Sequence, residues 1–353
     1  MKIFLLILIA IIIGASGGYF SYKYFIKDGT GQVNGDGSYN EPFMWGVTMR
    51  SDALGRYINE IWLKEIKAAR NLGVDHARIA WNHNGDDEMA YNEEILNYLI
   101  DGGLQVYLIV EPKGDFEKVQ NPYQDGYDNL TKIATKYKGK IKYYQLLNES
   151  GSLALKGGQY SGEKDSDYDP AKYERVKEWL KGASVAVKQS DPAAFRIITN
   201  QWTHTAFLDK IKKDEVEYDL IGWDWFSDMG FIGDKTLEGG TKLIDKLKSF
   251  GKPILLAEIN YRPEGRNGQK GQPEEKQADY IAKTADWAVK NKLVGFYVLE
   301  LLDVVNAGGR GYTDYYGIVS VKKSTSGTYV PGDPRQAYTK YQEIIKKYKN
   351  NQL

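Results

Sequence analysis

Residues 140–149, KIKYYQLLNE, form an apolar run that ends in an amide and a carboxylate. Continuous apolar runs of this length are typical of parallel strands that are covered on both faces of a sheet. The chain is therefore predicted to contain a parallel sheet, because seven other segments have the same character: FMWGVTM (43–49), HARIAWN (76–82), LQVYLIVEP (104–112), FRIITNQ (195–201), YDLIGWDWF (218–226), KPILLAEINY (252–261) and VGFYVLELLD (294–303).

Longer amphipathic stretches separate these strands, with the apolar periodicity of helices that pack one face against a core. Two of them have a clear start, because Asp169-Pro170 and Gln272-Pro273 place proline in the first helical turn. The predicted helices lie near 55–72, 92–102, 128–138, 170–189, 204–213, 236–250, 273–291 and 334–349.

Strands that alternate with helices in this way predict an α/β fold, a (β/α)8 TIM barrel that residues 43–349 form as a single domain. The alternative is an open doubly wound sheet, but the first strand is not followed by the glycine-rich turn of nucleotide-binding sheets. Residues 303–333, between the last strand and the last helix, are the longest segment with no predicted element. The barrel is therefore the favoured fold.

The composition excludes several functional classes. Lys plus Arg and Asp plus Glu both number 47, so nothing in the charge balance favours a nucleic-acid partner. Cysteine is absent, which excludes disulfides, thiol nucleophiles and cysteine-ligated metals. The three histidines, at 76, 83 and 204, show no metal-binding spacing. We therefore expect no metal and no cofactor, and we expect a monomer.

The N-terminal segment, residues 1–26, is hydrophobic. Residues 3–20 are 18 residues without a charge, which is short for a membrane span and long for the core of a signal peptide. Ala15-Ser16-Gly17 would suit a signal peptidase. Both a signal anchor and a signal peptide stay open, and both predict a catalytic domain that is anchored outside the cytoplasm or secreted. Residues 27–42 are rich in Gly, Asn and Asp and are predicted to be a flexible linker.

Two carboxylates stand at matching positions near the ends of predicted strands four and seven. Glu149 closes KYYQLLNE and Glu258 closes KPILLAE. The carboxyl ends of barrel strands form the active-site face, and strands four and seven lie across the barrel from each other. Hydrolysis of a glycoside with retention needs two carboxyl groups about 5–5.5 Å apart. The two glutamates are therefore candidates for a catalytic pair.

The same residues resemble those of the retaining glycoside hydrolases of clan GH-A, which include cellulase, mannanase, galactanase and β-xylosidase families. In that clan an Asn-Glu pair ends strand four and a second Glu ends strand seven, and the matches here are Asn148-Glu149 and Glu258. YDLIGWDWFS is similar to the clan's strand six, and Arg78 is similar to an arginine that supports the nucleophile. The chain departs from the common pattern at Ser150, where proline is usual, and at Glu300, in a strand that often ends in tryptophan. No individual family is assigned.

The resemblance implies that Glu258 attacks the anomeric carbon while Glu149 serves first as acid and then as base. Asn148 would bind the sugar's 2-hydroxyl, and Arg78 would stabilise the charged form of Glu258. The predicted reaction is double-displacement cleavage of O-glycosidic bonds, β in configuration, in a polysaccharide or oligosaccharide. Further candidates for substrate binding, for each of which packing or a loop contact is an alternative role, are His83, His204, Trp225, Tyr261 and Glu300.

Two rival functions stay open at this point. One is a catalytically inactive (β/α)8 protein that binds glycan, although retention of both glutamates argues against it. The other is a lyase or aldolase, but no lysine stands in an apolar strand end, where a Schiff-base lysine would be expected. Loops build the sugar subsites, so the fold predicts no particular sugar.

Overall fold

The computed structural model describes residues 39–49, 59–81, 83, 88–261, 273–303, 316–325 and 329–350. The hydrophobic segment predicted at 1–26 and residues 27–38 of the predicted linker lie outside these ranges. Within the ranges, no helix is both long enough and apolar enough to cross a bilayer.

Eight parallel strands of the described chain close into a barrel in sequence order. The first strand pairs with the second on one side and with the eighth on the other, so the sheet has no free edge. This closure confirms the predicted TIM barrel and excludes the open sheet. The strands are Met44–Thr48 (β1), His76–Ala80 (β2), Gln105–Val110 (β3), Tyr143–Leu146 (β4), Phe195–Gln201 (β5), Leu220–Phe226 (β6), Ile254–Asn260 (β7) and Gly295–Val298 (β8).

The α-helices of the described residues alternate with these strands. Asp169 accepts hydrogen bonds from the backbone N–H groups of Ala171 and Lys172, so it caps the helix at the predicted Asp-Pro start. The helices are Asn59–Leu72 (α1), Glu88–Asp101 (α2), Pro122–Lys136 (α3), Ser150–Ala154 (α4), Pro170–Ser190 (α5), Thr205–Lys213 (α6), Leu243–Lys248 (α7), Glu274–Lys290 (α8) and Gln336–Asn350 (α9).

The last helix ties the first and last strands together. The Tyr341 hydroxyl on α9 contacts the carbonyl oxygen of Gly46 at 2.9 Å and that of Phe296 at 3.0 Å. Gly46 is required for another reason, because a Cβ there would lie 2.1 Å from the ring of Tyr297 inside the barrel. The Tyr341 hydroxyl therefore contacts β1 and β8 from outside the barrel, and the Tyr297 ring packs beside Gly46 on the inside.

The barrel interior has an apolar lower layer and a polar upper layer. Side chains in a strand alternate between two faces, so residues two apart point the same way. Tyr143 of β4 and Ile197 of β5 belong to the apolar interior cluster. Two residues further along the same strands stand Gln145 and Thr199, which are fully buried and polar. Catalytic chemistry is therefore expected at the upper, carboxyl-terminal end of the strands.

One predicted feature is wrong. Residues 303–333 were expected to hold no regular element, but Val319–Lys323 (β9) and Tyr329–Pro334 (β10) form a two-stranded antiparallel sheet. Both strands are short and largely exposed or half-buried, so they lack the apolar pattern that identifies a strand. The pairing of Leu302 with Val319 joins this sheet to the end of β8.

Candidate active site

The chain turns sharply after β4, and this turn sets the position of Glu149. Leu147 and Glu149 have φ angles of 64° and 46°, in the left-handed region that residues other than glycine rarely adopt. The hydroxyl of Thr199 on β5 holds the turn, because it accepts a hydrogen bond from the backbone N–H of Glu149 at 3.0 Å. The Asn200 side chain accepts another from the backbone N–H of Gly151 at 2.6 Å. Strained backbone that neighbouring groups fix in this way is typical of functional sites.

Irregular pairing sets the position of Glu258. Trp223 of β6 pairs with Leu256 of β7, but the next residue, Asp224, pairs with Glu258. Ala257 is thus an extra residue in β7, and the alternation of faces shifts by one at that point. Such bulges redirect side chains and occur often beside active sites. Asp224 and Glu258 therefore stand side by side at the top of the barrel.

Arg78 of β2 is the centre of a buried hydrogen-bond network. Its side chain is 1% exposed, and its Nη1 donates to Oε1 of Glu258 at 2.7 Å. Nε and Nη2 both donate to Oε1 of Gln145, at 3.1 and 2.9 Å, and Nη2 also donates to Oδ1 of Asn148 at 3.0 Å. The Gln145 amide donates in turn to Asn148 Oδ1 and to Thr199 Oγ1. The network fixes the Glu258 carboxylate and the Asn148 amide relative to each other.

Glu149 has a neutral hydrogen-bond donor instead. The Gln201 amide nitrogen donates to Oε2 of Glu149 at 2.5 Å and to the Ser152 hydroxyl at 3.1 Å. The Ser152 hydroxyl lies 3.3 Å from Nδ1 of His204. Burial lowers the pKa of His204 to about 4, so its imidazole is neutral at neutral pH. The two glutamates therefore differ in their surroundings: one has a cation beside it and the other has an amide.

Carboxylate oxygens of Glu149, Asp224 and Glu258 all lie within 4.8 Å of one another. This spacing agrees with the separation of about 5–5.5 Å in retaining glycosidases rather than with the 6.5–9.5 Å of inverting ones. Three carboxyl groups this close could also share a cation, but the Arg78 guanidinium already supplies the positive charge beside Glu258, so we assign no metal to them. The geometry is that of a two-carboxylate site with a third acid beside it.

The other predicted site residues occupy several places. His204 borders a cavity next to Glu149, in the part of the barrel mouth formed by β4, β5 and β6. His83 lies at the end of β2, where its ring contacts the carbonyl oxygen of Glu111 at 2.6 Å and a carboxylate oxygen of Glu88 at 3.2 Å. These contacts join His83 to the end of β3 and the start of α2 rather than to Glu149 or Glu258.

Trp225, Tyr261 and Glu300 lie outside the carboxylate cluster. Trp225 is fully buried and stacks against Trp202, with their ring centroids 5.5 Å apart. The Trp225 ring is therefore not exposed to stack on a sugar. Tyr261 packs its ring edge-on against Tyr280 at the end of β7. Glu300 is 1% exposed, and its negative charge helps to raise the pKa of Glu65, a buried residue of α1.

The sequence prediction missed three polar residues that hold the site together. Each of them is polar within an otherwise apolar strand or directly at its end, and that contrast is a signal that could have identified them. They are Gln145, Thr199 and Gln201.

Comparison with known proteins shows the fold and leaves the family open. No protein-family model matches the sequence, and no match was found among curated proteins. A β-glucosidase from Thermotoga maritima in complex with methoxycarbonyl-substituted glucoimidazole is similar in structure, with a TM-score of 0.61 at 14% identity, over 88% of this chain and 99% of that one. A family 1 β-glucosidase from the same organism has the same TM-score and identity and is covered over 98% of its length. At this identity the likeness establishes the barrel, and function has to be argued from the site.

Proposed function

We propose that this protein is a retaining glycoside hydrolase in which Glu258 is the nucleophile and Glu149 is the acid/base. The observation that carries the proposal is the separation of the two carboxyl groups, whose oxygens lie within 4.8 Å across the barrel mouth. A sugar's anomeric carbon and its leaving oxygen fit between groups at this distance. The additional water molecule that attacks in an inverting enzyme does not fit. Similarity to the fold of β-glucosidases supports the same reaction class.

Hydrogen bonding distinguishes the two roles. An ionised nucleophile needs a positive partner, and Arg78 provides one in direct contact with Glu258. An acid has to keep its proton until the leaving oxygen takes it, and the uncharged Gln201 amide beside Glu149 does not force ionisation. Asn148 accepts hydrogen bonds from two donors at Oδ1, which fixes its amide and leaves the NH2 group to donate to the sugar's 2-hydroxyl.

The reaction then proceeds in two displacements. In the first, an oxygen of Glu258 bonds to the anomeric carbon, the bond from that carbon to the leaving oxygen breaks, and the proton of Glu149 passes to the leaving oxygen. In the second, Glu149 as carboxylate takes a proton from water, and the resulting hydroxide displaces Glu258 from the anomeric carbon. Two inversions give net retention, and both carboxyl groups return to their starting states.

A cavity of about 570 Å3 beside Glu149 is suited to the leaving group. Its wall includes Gln201, whose amide donates a hydrogen bond to Glu149, and Ser152, whose hydroxyl accepts one from the same amide. Because the acid protonates the leaving oxygen, the departing part of the substrate has to lie on this side. Lys172 and Asp228 give the wall one charge of each sign, and the neutral His204 adds none. We therefore propose an uncharged saccharide as leaving group.

The test is a screen of aryl β-glycosides and neutral polysaccharides with matched variants. Glu258→Ala and Glu149→Ala should each lose hydrolysis by several orders of magnitude, while Glu217→Gln, an exposed carboxylate before β6 and away from the mouth, should keep it. With azide as a small external nucleophile, E149A should give the β-glycosyl azide and E258A the α-anomer, because azide replaces water in one and Glu258 in the other. Undiminished hydrolysis in E258A would refute the assignment. Binding of a glycan with no turnover of any substrate would favour the inactive glycan-binding alternative.

We also propose that the catalytic domain works outside the cytoplasm. The hydrophobic residues 3–20 are the reason, since either an anchor or a signal peptide would direct the chain across a membrane. Protease treatment of intact cells that express the full chain tests this proposal. Digestion, or release of the domain into the medium, is expected, and a protected intracellular domain would contradict it.

A further inference from the structure

Asp224 is a third carboxyl group of the site. The double-displacement reaction proposed for Glu149 and Glu258 assigns no role to it. Its side chain is fully buried on β6, and it pairs in register with Glu258 on β7. The residues on either side, Trp223 and Trp225, face away from the interior and donate their indole N–H groups to backbone oxygens of Trp202 and Gly230. Asp224 therefore faces the interior, within 4.8 Å of both glutamates.

Among the described residues, no cation forms an ion pair with Asp224. Neither of its oxygens has a hydrogen-bond partner within bonding geometry, although the backbone N–H of Glu258 faces it. Arg78 directs its donors to Glu258, Thr48, Gln145 and Asn148 instead. The titratable and charged groups that face Asp224 are, from the neighbouring strands, Arg78 on β2, Tyr107 on β3, Glu149 after β4 and Glu258 on β7.

An ionised Asp224 would therefore be a buried charge with no ion-pair partner among the described residues. Burial, and next the negative charge of Glu258, raise the pKa of Asp224 well above its usual range, while Arg78 and the facing backbone amide of Glu258 only partly oppose this. A carboxylic acid that an apolar site keeps neutral can donate a hydrogen bond, which a carboxylate cannot.

We propose that Asp224 is a neutral carboxylic acid and a positioning residue, which turns its O–H group towards whichever of Glu258 and Glu149 carries the negative charge. The inference rests on the proposed function. In the first displacement the charge leaves Glu258, which becomes an ester, and appears on Glu149, which has given up its proton. The second displacement returns the charge to Glu258. Asp224 keeps its proton throughout, and no other group is oxidised, reduced or transferred.

The position of Asp224 fits this role. A residue that donates to Glu258 before the first displacement and to Glu149 after it has to be close to both carboxyl groups. An oxygen of Asp224 lies within 4.8 Å of an oxygen of each glutamate. Hydrogen bonds in a substrate-free site are often long and shorten when the substrate is bound. The proposed role requires a rotation of the Asp224 side chain that brings its hydroxyl within bonding distance of one glutamate or the other.

Two substitutions separate this role from a structural one. Asp224→Asn keeps the shape, the neutrality and an N–H donor, so kcat should stay within about tenfold of wild type. Asp224→Leu keeps the branched shape of the side chain but has no donor, so kcat should fall about 10- to 100-fold with KM little changed, since one donor to a charged group is lost. Equal activity of D224N and D224L would overturn the proposal.

The pH profile gives the second readout. If Asp224 is neutral, the alkaline limb of kcat/KM in D224N stays near that of wild type. If Asp224 were ionised, its removal would make Glu149 lose its proton more easily, and the alkaline limb would move down by a unit or more. Such a downward shift would also overturn the proposal.

Infrared spectroscopy tests the protonation state without any substrate. The wild-type minus D224N difference spectrum should show the carbonyl stretch of a protonated carboxyl group at neutral pH, and a carboxylate stretch in its place would refute the neutral acid. Failure of the proposed function is distinguishable, because it would appear as undiminished hydrolysis in the Glu258 variant. Thermal melts of D224N and D224L confirm that both variants fold.

Discussion

Arg78 offers the sharpest test of the charge arrangement, because one side chain contacts the proposed nucleophile and its supporting amides. Arg78→Met removes the cation and keeps a flexible side chain of similar reach. The hydrogen bond from Nη1 to Glu258 is 2.7 Å long, and Arg78 is buried, so water cannot replace the lost charge fully. Gln145 Oε1 loses both of its donors from Arg78 as well.

The expected size of the effect follows from these contacts. A hydrogen bond to a charged group contributes about 1.5–3 kcal/mol, so kcat/KM at the pH optimum should fall about 10- to 100-fold in R78M.

The assay is kcat/KM with an aryl β-glycoside at the wild-type pH optimum, run in parallel on wild type, R78M and R78K. Lysine keeps the charge but cannot reproduce the forked geometry of a guanidinium. R78K should therefore lose part of the rate, but less than R78M loses. A folded R78M with the kcat/KM of wild type would refute the idea that Arg78 supports the nucleophile.

Three further predictions concern single side chains. Burial, and next the charge of a neighbouring glutamate, raise the pKa of Glu65 from 4.5 to about 8, so the folded state keeps a proton that the unfolded chain releases. Stability should therefore fall by up to about 1.4 kcal/mol per pH unit between those values, and the melting-temperature gain of Glu65→Gln should grow from about pH 5 to pH 8; a constant gain would contradict this. Gly182→Ala puts a Cβ 2.0 Å from the carbonyl oxygen of Tyr123, so urea unfolding should show a loss of about 1–3 kcal/mol, and unchanged stability would mean that α3 and α5 separate freely. Gln201→Lys places a cation beside Glu149 and favours its ionised form, so hydrolysis of substrates with poor leaving groups should slow about 10- to 100-fold. Aryl glycosides with acidic leaving groups should keep most of their rate, because they need little protonation. Equal losses for both kinds of substrate would argue against an acid role for Glu149.

The strands were predictable because a parallel barrel buries them on both faces, and the apolar runs reflect that burial. Phe195–Gln201 matches its predicted ends. The run at 140–149 is longer than the strand, which ends at Leu146 because Leu147 turns into the left-handed region. Neither Leu nor Glu signals that conformation, since tertiary contacts from β5 impose it. Local preference therefore identified the strand but not its end.

Errors at helix ends have a similar cause. The helix predicted from residue 128 begins at Pro122, where the Asn121 side chain accepts a hydrogen bond from the backbone N–H of Gln124. An asparagine followed by proline is a readable start, but the apolar periodicity only becomes clear further along. The strands β9 and β10 had no such signal, because most of their residues are half-buried or exposed and show no apolar pattern.

The active-site geometry was predictable in part. Strand ends of one barrel meet at one face, and this rule alone places Glu149, Glu258 and Arg78 in the same mouth. The rule does not give the direction of a side chain at the rim, and His83 and Tyr261 accordingly pack against neighbouring loop and helix residues. It also does not show that a bulge after Leu256 aligns Glu258 with Asp224. Chemistry of this kind depends on a one-residue shift in register, which only the folded sheet defines.

The unequal surroundings of the two glutamates support their proposed roles without reference to any relative. A retaining site needs one carboxyl group that is ionised and another that is protonated at the start of the cycle, although both are glutamates a few ångströms apart. Arg78 beside Glu258 and Gln201 beside Glu149 provide that difference, since only the first donor carries a charge. If the donors were exchanged, Glu149 would be ionised before the substrate arrived and Glu258 would be a poorer nucleophile. In the proposed reaction, the roles of the two glutamates therefore follow from which of them lies beside Arg78.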